Sequence, residues 1–226
     1  KYKRACIYLD RDGVLNEDTD LISRHEDLNL FEFVPEAIKK INQSEYLSVV
    51  ITNQSVVARN LCTYDDVKVI HNKMEALLGE HGAYLTGIYF CPHHPDGGFP
   101  GENIEYKVNC SCRKPKPGML LEAASEFNID LKKSWMVGDS DRDVKAGKAA
   151  GCKTIAVRTG RSTHTSQLNP DYWFENLTEA VSFIIDNPYK EIMGKINDKA
   201  IKSNSSPFVI AIGGRARSGK SAISKY

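Results

Sequence analysis

The sequence predicts an α/β fold built on a doubly wound parallel sheet, and three observations carry that prediction. Short strand-forming runs alternate with helical patterns from residue 5 to 186. The runs are apolar at consecutive positions, as strands buried on both faces are. Most of them end in polar, chemically useful residues, and open parallel sheets gather their ligands at those carboxyl ends.

The first strand, ACIYL at 5–9, runs into Asp10 and Asp12. PEAIKKINQS at 35–44 reads as a helix with proline in its first turn. YLSVVIT at 46–52 is the next strand. Thr63 can cap a long helix over 64–81, with Asp65 and Asp66 favouring its amino end. TGIYFC at 86–91 is a third strand, and PGMLLEAASEFNI at 117–129 has apolar residues at helical spacing. SWMVGD at 134–139 is a fourth strand, followed by a helix over 141–150 and a fifth strand, KTIAVRTG, at 153–160. DYWFEN at 171–176 and LTEAVSFIID at 177–186 add an edge strand and a helix. This alternation predicts helices on both faces of the sheet.

The chain has 226 residues, with 30 basic against 29 acidic side chains. That balance argues against a nucleic-acid or membrane surface for the chain as a whole. No apolar run approaches the ~20 residues that span a bilayer. No signal-peptide pattern opens the chain, which points to a cytoplasmic protein. Six cysteines are too few for a disulfide scaffold.

The strand ends converge on one chemistry. Strand one contributes Asp10 and Asp12, and strand two contributes Thr52, Asn53, Gln54 and Ser55. Strand four contributes Asp139 and Ser140, while Arg113 and Lys114 lie between strands three and four. Carboxylates at that density repel one another unless a cation binds, and oxygen ligands suit Mg²⁺. A lysine and an arginine beside Mg²⁺ suit a phosphate. Asp10 can then attack phosphorus and form an aspartyl-phosphate, with Asp12 as general acid and base.

DRDGVLN, ITNQS, RKPKPGM and VGDSDRD, in this order, resemble the four motifs of the haloacid dehalogenase superfamily of phosphatases. The resemblance spans residues 5–165. It implies a Rossmann-like fold, with Asp10 as nucleophile and Asp12 as general acid/base. It also implies Mg²⁺ held by the Asp10 carboxylate, the Asp12 backbone carbonyl and Asp139. Thr52, Arg113 and Lys114 would stabilise the phosphoryl group.

Cys91, two histidines (His93 and His94), Cys110 and Cys112 cluster in one loop. Three thiolates and one imidazole make a closed, structural zinc site. Residue type alone does not choose between the histidines. The pattern Cys-x-His…Cys-x-Cys resembles that of histidinol-phosphate and heptose-bisphosphate phosphatases, and that resemblance selects His93. The motifs are closer to the D-glycero-D-manno-heptose 1,7-bisphosphate 7-phosphatases, which implies a phosphosugar substrate. One departure is TNQSVVARN where that family continues TNQSGIARG. Val56 and Asn60 stand in place of glycines, which would allow unusual backbone angles. Histidinol-phosphate phosphatase, or the phosphatase of a polynucleotide kinase–phosphatase, is the alternative.

About 35 residues separate Asn16 from Thr52, and one helix fills much of that interval. No room remains for a large cap domain. Short loops must recognise the leaving group: Asp18, Thr19, Asp20 and Leu21, then Asn53, Gln54 and Ser55, the zinc loop, and Ser140. A second anionic group on the substrate would suit Arg113.

The predicted organisation is a phosphatase domain over 1–186, a polar linker over 187–207, and the start of another domain over 208–226. There the strand FVIAI leads into Gly214-Arg215-Ala216-Arg217-Ser218-Gly219-Lys220-Ser221, which fits G-x-x-x-x-G-K-[ST]. The match resembles the P-loop of a nucleotide-dependent kinase. The expectation is the phosphatase half of a bifunctional phosphatase–kinase, with ATP bound only in a longer parent chain.

Overall fold

A computed structural model describes residues 2–98, 100–161 and 168–186. The linker expected over 187–207 and the P-loop residues Gly214, Gly219, Lys220 and Ser221 lie outside the described residues. Six strands form one sheet: β1 (Cys6–Leu9), β2 (Leu47–Asn53), β3 (Gly87–Cys91), β4 (Trp135–Gly138), β5 (Lys153–Val157) and β6 (Tyr172–Phe174). Every neighbouring pair is parallel, and the order is β3-β2-β1-β4-β5-β6. The sheet reverses direction of growth between β1 and β4, so the crevice of a doubly wound fold opens at their carboxyl ends.

Strand alternation sorts the core into two layers. Side chains of successive strand residues point to opposite faces. Ile7 and Leu9 join a cluster with Val50, Val137 and Ile155, covered by α1 (Val34–Asn42) and α2 (Tyr64–Glu80) through Ile38, Ile41, Ile70 and Met74. α5 (Leu177–Asp186) closes the same face through Val181 and Ile184. Cys6 and Tyr8 face the other way, onto α3 (Gly118–Glu126) and α4 (Asp141–Ala150), with Met136, Leu120 and Ala146. Each fully buried aliphatic side chain stabilises the fold by about 1.5–3 kcal/mol. The helices start where the sequence places their caps. Thr63 and Asp66 form a capping box on α2, as Ser140 and Asp143 do on α4. Among the described residues no helix is long and apolar enough to cross a membrane.

Among the described residues no large cap domain interrupts the sheet. The segments between β1 and α1 and between β3 and α3 hold only single short 3-10 turns, His25–Asp27 and Ile104–Tyr106. The two residues that stand where glycines were expected are accommodated differently. Val56 is buried with Val57 and Val67 in a small cluster of its own. Asn60 takes φ 56°, a left-handed conformation that asparagine tolerates better than most residues. Asn60→Ala should therefore lower unfolding stability by about 1 kcal/mol in urea titrations, while Asn60→Gly stays near the parent.

Candidate active site

The crevice beside β1 and β4 is a polar cleft of about 230 Å³. Asp10, Asp12, Thr52, Asn53, Gln54, Ser55, Arg113, Lys114, Asp139 and Ser140 all line it. Asp18, Asp20 and Leu21 line it as well, whereas the exposed Thr19 is not among the lining residues. Arg142, absent from the sequence expectation, also lines the wall. It lies within the fourth motif, VGDSDRD, in the first turn of α4.

Lys114 is the centre of the site. Its side chain is 2% exposed, and Nζ lies 2.8 Å from Asp10 Oδ1 and 2.6 Å from Asp143 Oδ1. Nζ also donates to the Ile51 carbonyl at 2.7 Å. The Lys114 backbone is clamped by Asn53, which donates through Nδ2 to the Lys114 carbonyl and accepts from its N–H, both at 3.0 Å. Burial opposes the Lys114 charge, but Asp10 and Asp143 outweigh it and raise its pKa. Burial and then Asp143 push Asp10 up against the pull of Lys114. Burial also disfavours charge on Asp143, but Lys114 and Ser140 hold it low.

Asp12 sits in a different field. Burial would raise it, but the Arg11 guanidinium, Asn16 and Gln54 together hold it below the usual carboxylate range. Arg11 donates to it from Nε at 3.1 Å and from one terminal nitrogen at 2.9 and 3.0 Å. Asn16 Nδ2 donates at 3.0 Å and Gln54 Nε2 at 2.8 Å. The same Gln54 nitrogen donates to Thr52 Oγ1 at 2.9 Å. Two carboxylates two residues apart are thus driven in opposite directions by their surroundings.

Asp10, Asp139 and Asp143 bring carboxylate oxygens within 4.8 Å of one another. Three carboxylates so close together, two of them paired with Lys114, are a donor set that suits a hard cation with oxygen ligands. Asp143 is already committed on both oxygens, to Lys114 on one side and to Ser140 N–H and Oγ on the other. Asp143 thus braces Lys114 and caps α4. Glycines leave the room. A Cβ on Gly160 would stand 2.0 Å from Asp139 Oδ2, one on Gly13 would stand 2.9 Å from the same oxygen, and one on Gly138 would meet Asp143 Cβ at 2.2 Å.

The cysteine loop forms a second cluster. Cys91, His93, Cys110 and Cys112 present ligand atoms within 4.8 Å of one another, and His93 is the histidine that joins them. Cys91 Sγ is 3.5 Å from Cys110 Sγ and 3.2 Å from Cys112 Sγ, with His93 Nδ1 at 3.6 and 3.4 Å from Cys91 and Cys112. Tetrahedral zinc with Zn–S near 2.3 Å sets its sulfurs about 3.8 Å apart, so the four donors form a slightly contracted cage of the right shape. None of the cysteines is in a disulfide. The cluster also reaches the cleft, because Arg113 donates from its guanidinium to the His93 carbonyl at 3.0 Å and from its backbone to Cys110 Sγ at 3.4 Å.

Residues 111–180 match the HAD-hydrolase-like family model. The chain is 40% identical over 186 residues to the D-glycero-beta-D-manno-heptose-1,7-bisphosphate 7-phosphatase of Pasteurella multocida, covering 80% of this chain and 97% of that one. It is 38% identical over 192 residues to the D-glycero-D-manno-heptose-1,7-bisphosphate 7-phosphatase of Thermosynechococcus vestitus, covering 80% and 95%. The chain belongs to the heptose-1,7-bisphosphate 7-phosphatase family. A member from B. bronchiseptica, solved as a complex with magnesium and phosphate, superposes with a TM-score of 0.71 at 32% identity, over 81% of this chain and 99% of that one. As a member of this family of haloacid dehalogenase-like phosphatases, the chain is a phosphoric monoester hydrolase.

The glycine cradle is directly testable. Gly160→Ala should displace the Asp139 carboxylate, lower stability by about 1–3 kcal/mol through overpacking, and reduce turnover. Chemical denaturation and steady-state assays on the same preparation would check both.

Proposed function

We propose that this chain removes the 7-phosphate of D-glycero-D-manno-heptose 1,7-bisphosphate through an aspartyl-phosphate on Asp10. The observation that carries the chemistry is the contrast between Asp10, paired with buried Lys114, and Asp12, held by Arg11 and Gln54 at the same cleft. The substrate is supported by the relatives' named activity and by the cleft wall, where Arg113 and Arg142 offer two cations to a second phosphate.

In this reading an Asp10 oxygen attacks phosphorus and the bond to the sugar oxygen breaks. Asp12 takes a proton from solvent as the phosphate binds and donates it to that departing oxygen. The incoming phosphate anion raises the proton affinity of Asp12, as like charge does, and so offsets the pull of Arg11. Asp12, now a carboxylate, then takes a proton from the water that attacks the aspartyl-phosphate, and inorganic phosphate leaves with Asp10 restored. Lys114 and Thr52 lie against the phosphoryl oxygens, and Arg113 orients the remainder of the substrate, with Asp18, Asp20, Leu21, Asn53, Ser55 and Ser140 around it. Mg²⁺ held by Asp10, Asp139 and the Asp12 carbonyl would neutralise charge between nucleophile and phosphate. Zinc in the Cys91, His93, Cys110 and Cys112 cage would be structural, since four protein ligands leave no open position.

The sequence motif at 214–221 supports a second activity beyond the phosphatase domain of 1–186 and the linker of 187–207. We read it as the phosphate-binding loop of a kinase element, so any phosphate transfer from ATP by a chain that carries this element should depend on Lys220.

Asp10→Asn should abolish turnover of the heptose bisphosphate with the fold intact by circular dichroism, a loss of many powers of ten. Substantial residual activity would sink the mechanism. For the metal cage, elemental analysis should find about one zinc per chain. Cys110→Ser should lower that content and the melting temperature, and an unchanged melt with no zinc in the parent would refute the assignment.

A further inference from the structure

We infer that His71 is a positioning residue for Asp12: it fixes the Arg11 guanidinium that aims the Asp12 carboxylate. The inference rests on the reading of Asp12 as the group that protonates the leaving oxygen.

His71 lies on the buried stripe of α2 with Val67, Ile70, Met74 and Leu78, where an aliphatic side chain would complete the pattern. It is 5% exposed, and its ring meets Phe90 edge-on at 5.3 Å. Its Nε2 lies 3.4 Å from a terminal nitrogen of Arg11. Arginine can only donate, so this imidazole nitrogen must offer its lone pair, and the ring is neutral with its proton on Nδ1. Burial and then the Arg11 charge push His71 down to about 3, which agrees with that assignment.

Arg11 is fully buried, while its partner Asp12 keeps 22% of its side chain open to the cleft. The guanidinium is therefore a fork pressed against the back of a carboxylate that faces the substrate. Nε and one terminal nitrogen hold Asp12, and that terminal nitrogen also reaches Gln54 Oε1 at 3.0 Å. The other terminal nitrogen turns to His71. Because the fork is planar and rigid, anchoring its far tine sets the angle of the near ones. Loss of the His71 acceptor frees the guanidinium to rotate in its plane and swing the Asp12 carboxylate with it. Proton transfer depends steeply on such alignment, and a general acid contributes roughly 10²–10⁴-fold.

The test compares the parent, His71→Leu, His71→Gln and Asp12→Asn on two classes of ester. An alkyl sugar phosphate leaves as a poor alkoxide that needs the proton, whereas p-nitrophenyl phosphate leaves as a stable phenolate that does not. Read as kcat/KM, which reports the departure of the leaving group and not the later hydrolysis common to both esters, His71→Leu should lose about 10-fold or more on the alkyl ester and far less on the aryl ester. His71→Gln, whose Oε1 can accept at the place of Nε2, should recover most of that loss. Equal losses on both esters, or a folded His71→Gln no better than His71→Leu, would overturn the inference. Should His71→Leu fail to fold, His71→Asn takes its place, since its amide is too short to reach Arg11. Asp12→Asn separates the two claims. If it shows no leaving-group split, the role of Asp12 falls; if it shows one and the His71 variants do not, only the role of His71 falls.

Discussion

One buried ammonium ties the carboxyl end of this sheet together. Lys114 Nζ contacts Asp10 after β1, the Ile51 carbonyl in β2 and Asp143 in α4 after β4. Removing such a charge from water is costly, and only close, well-paired partners offset it. The ammonium is therefore tolerable only where these three elements meet, and the elements carry tolerable carboxylates only where the ammonium sits. The Asn53 clamp on the Lys114 backbone and the Ser140 bonds to Asp143 follow from that constraint, because each holds one of the partners in register.

Much of this was legible in the sequence for a simple reason. Consecutive apolar residues report burial on both faces, and β1, β2 and β4 fall within a residue or so of the runs that predict them. Helices α4 and α5 begin and end where caps and periodicity place them. The site residues at strand ends were legible because the topology forces those ends together. What escaped was everything that works through a side chain reaching back. Arg11 sits between two motif aspartates and looks like a surface residue, yet it is sealed beneath Asp12. His71 lies 60 positions from Arg11, and a lone histidine on an apolar stripe carries no sequence signal. Asp143 belongs to the fourth motif with its fellow carboxylates, and only the contact with Lys114 reveals it as a brace.

The two clusters are connected through the backbone. Arg113 presents its guanidinium to the cleft while bonding to the carbonyl of His93, a member of the cysteine cage. The next residue is Lys114. A cage that closes the loop thus also sets the starting point of the segment that supplies two cations to the cleft. Loops held in place before a ligand arrives lower the ordering cost of binding. The folding of the 92–117 segment and the shape of the binding wall are in this sense one problem.

The glycines around Asp139 and Asp143 have a consequence for how this architecture can diverge. Gly13, Gly138 and Gly160 leave less than a methyl group of space on the carboxylate side of the crevice. Mutation from any of them adds a side chain where none fits, so that wall is closed to gradual evolutionary experiment. The opposite wall is built from Asp18, Asp20 and Leu21 and from the loop bearing Arg113, where insertions and exchanges cost the sheet little. Paralogues with new leaving-group preferences should therefore differ along that wall while inheriting the glycine wall unchanged.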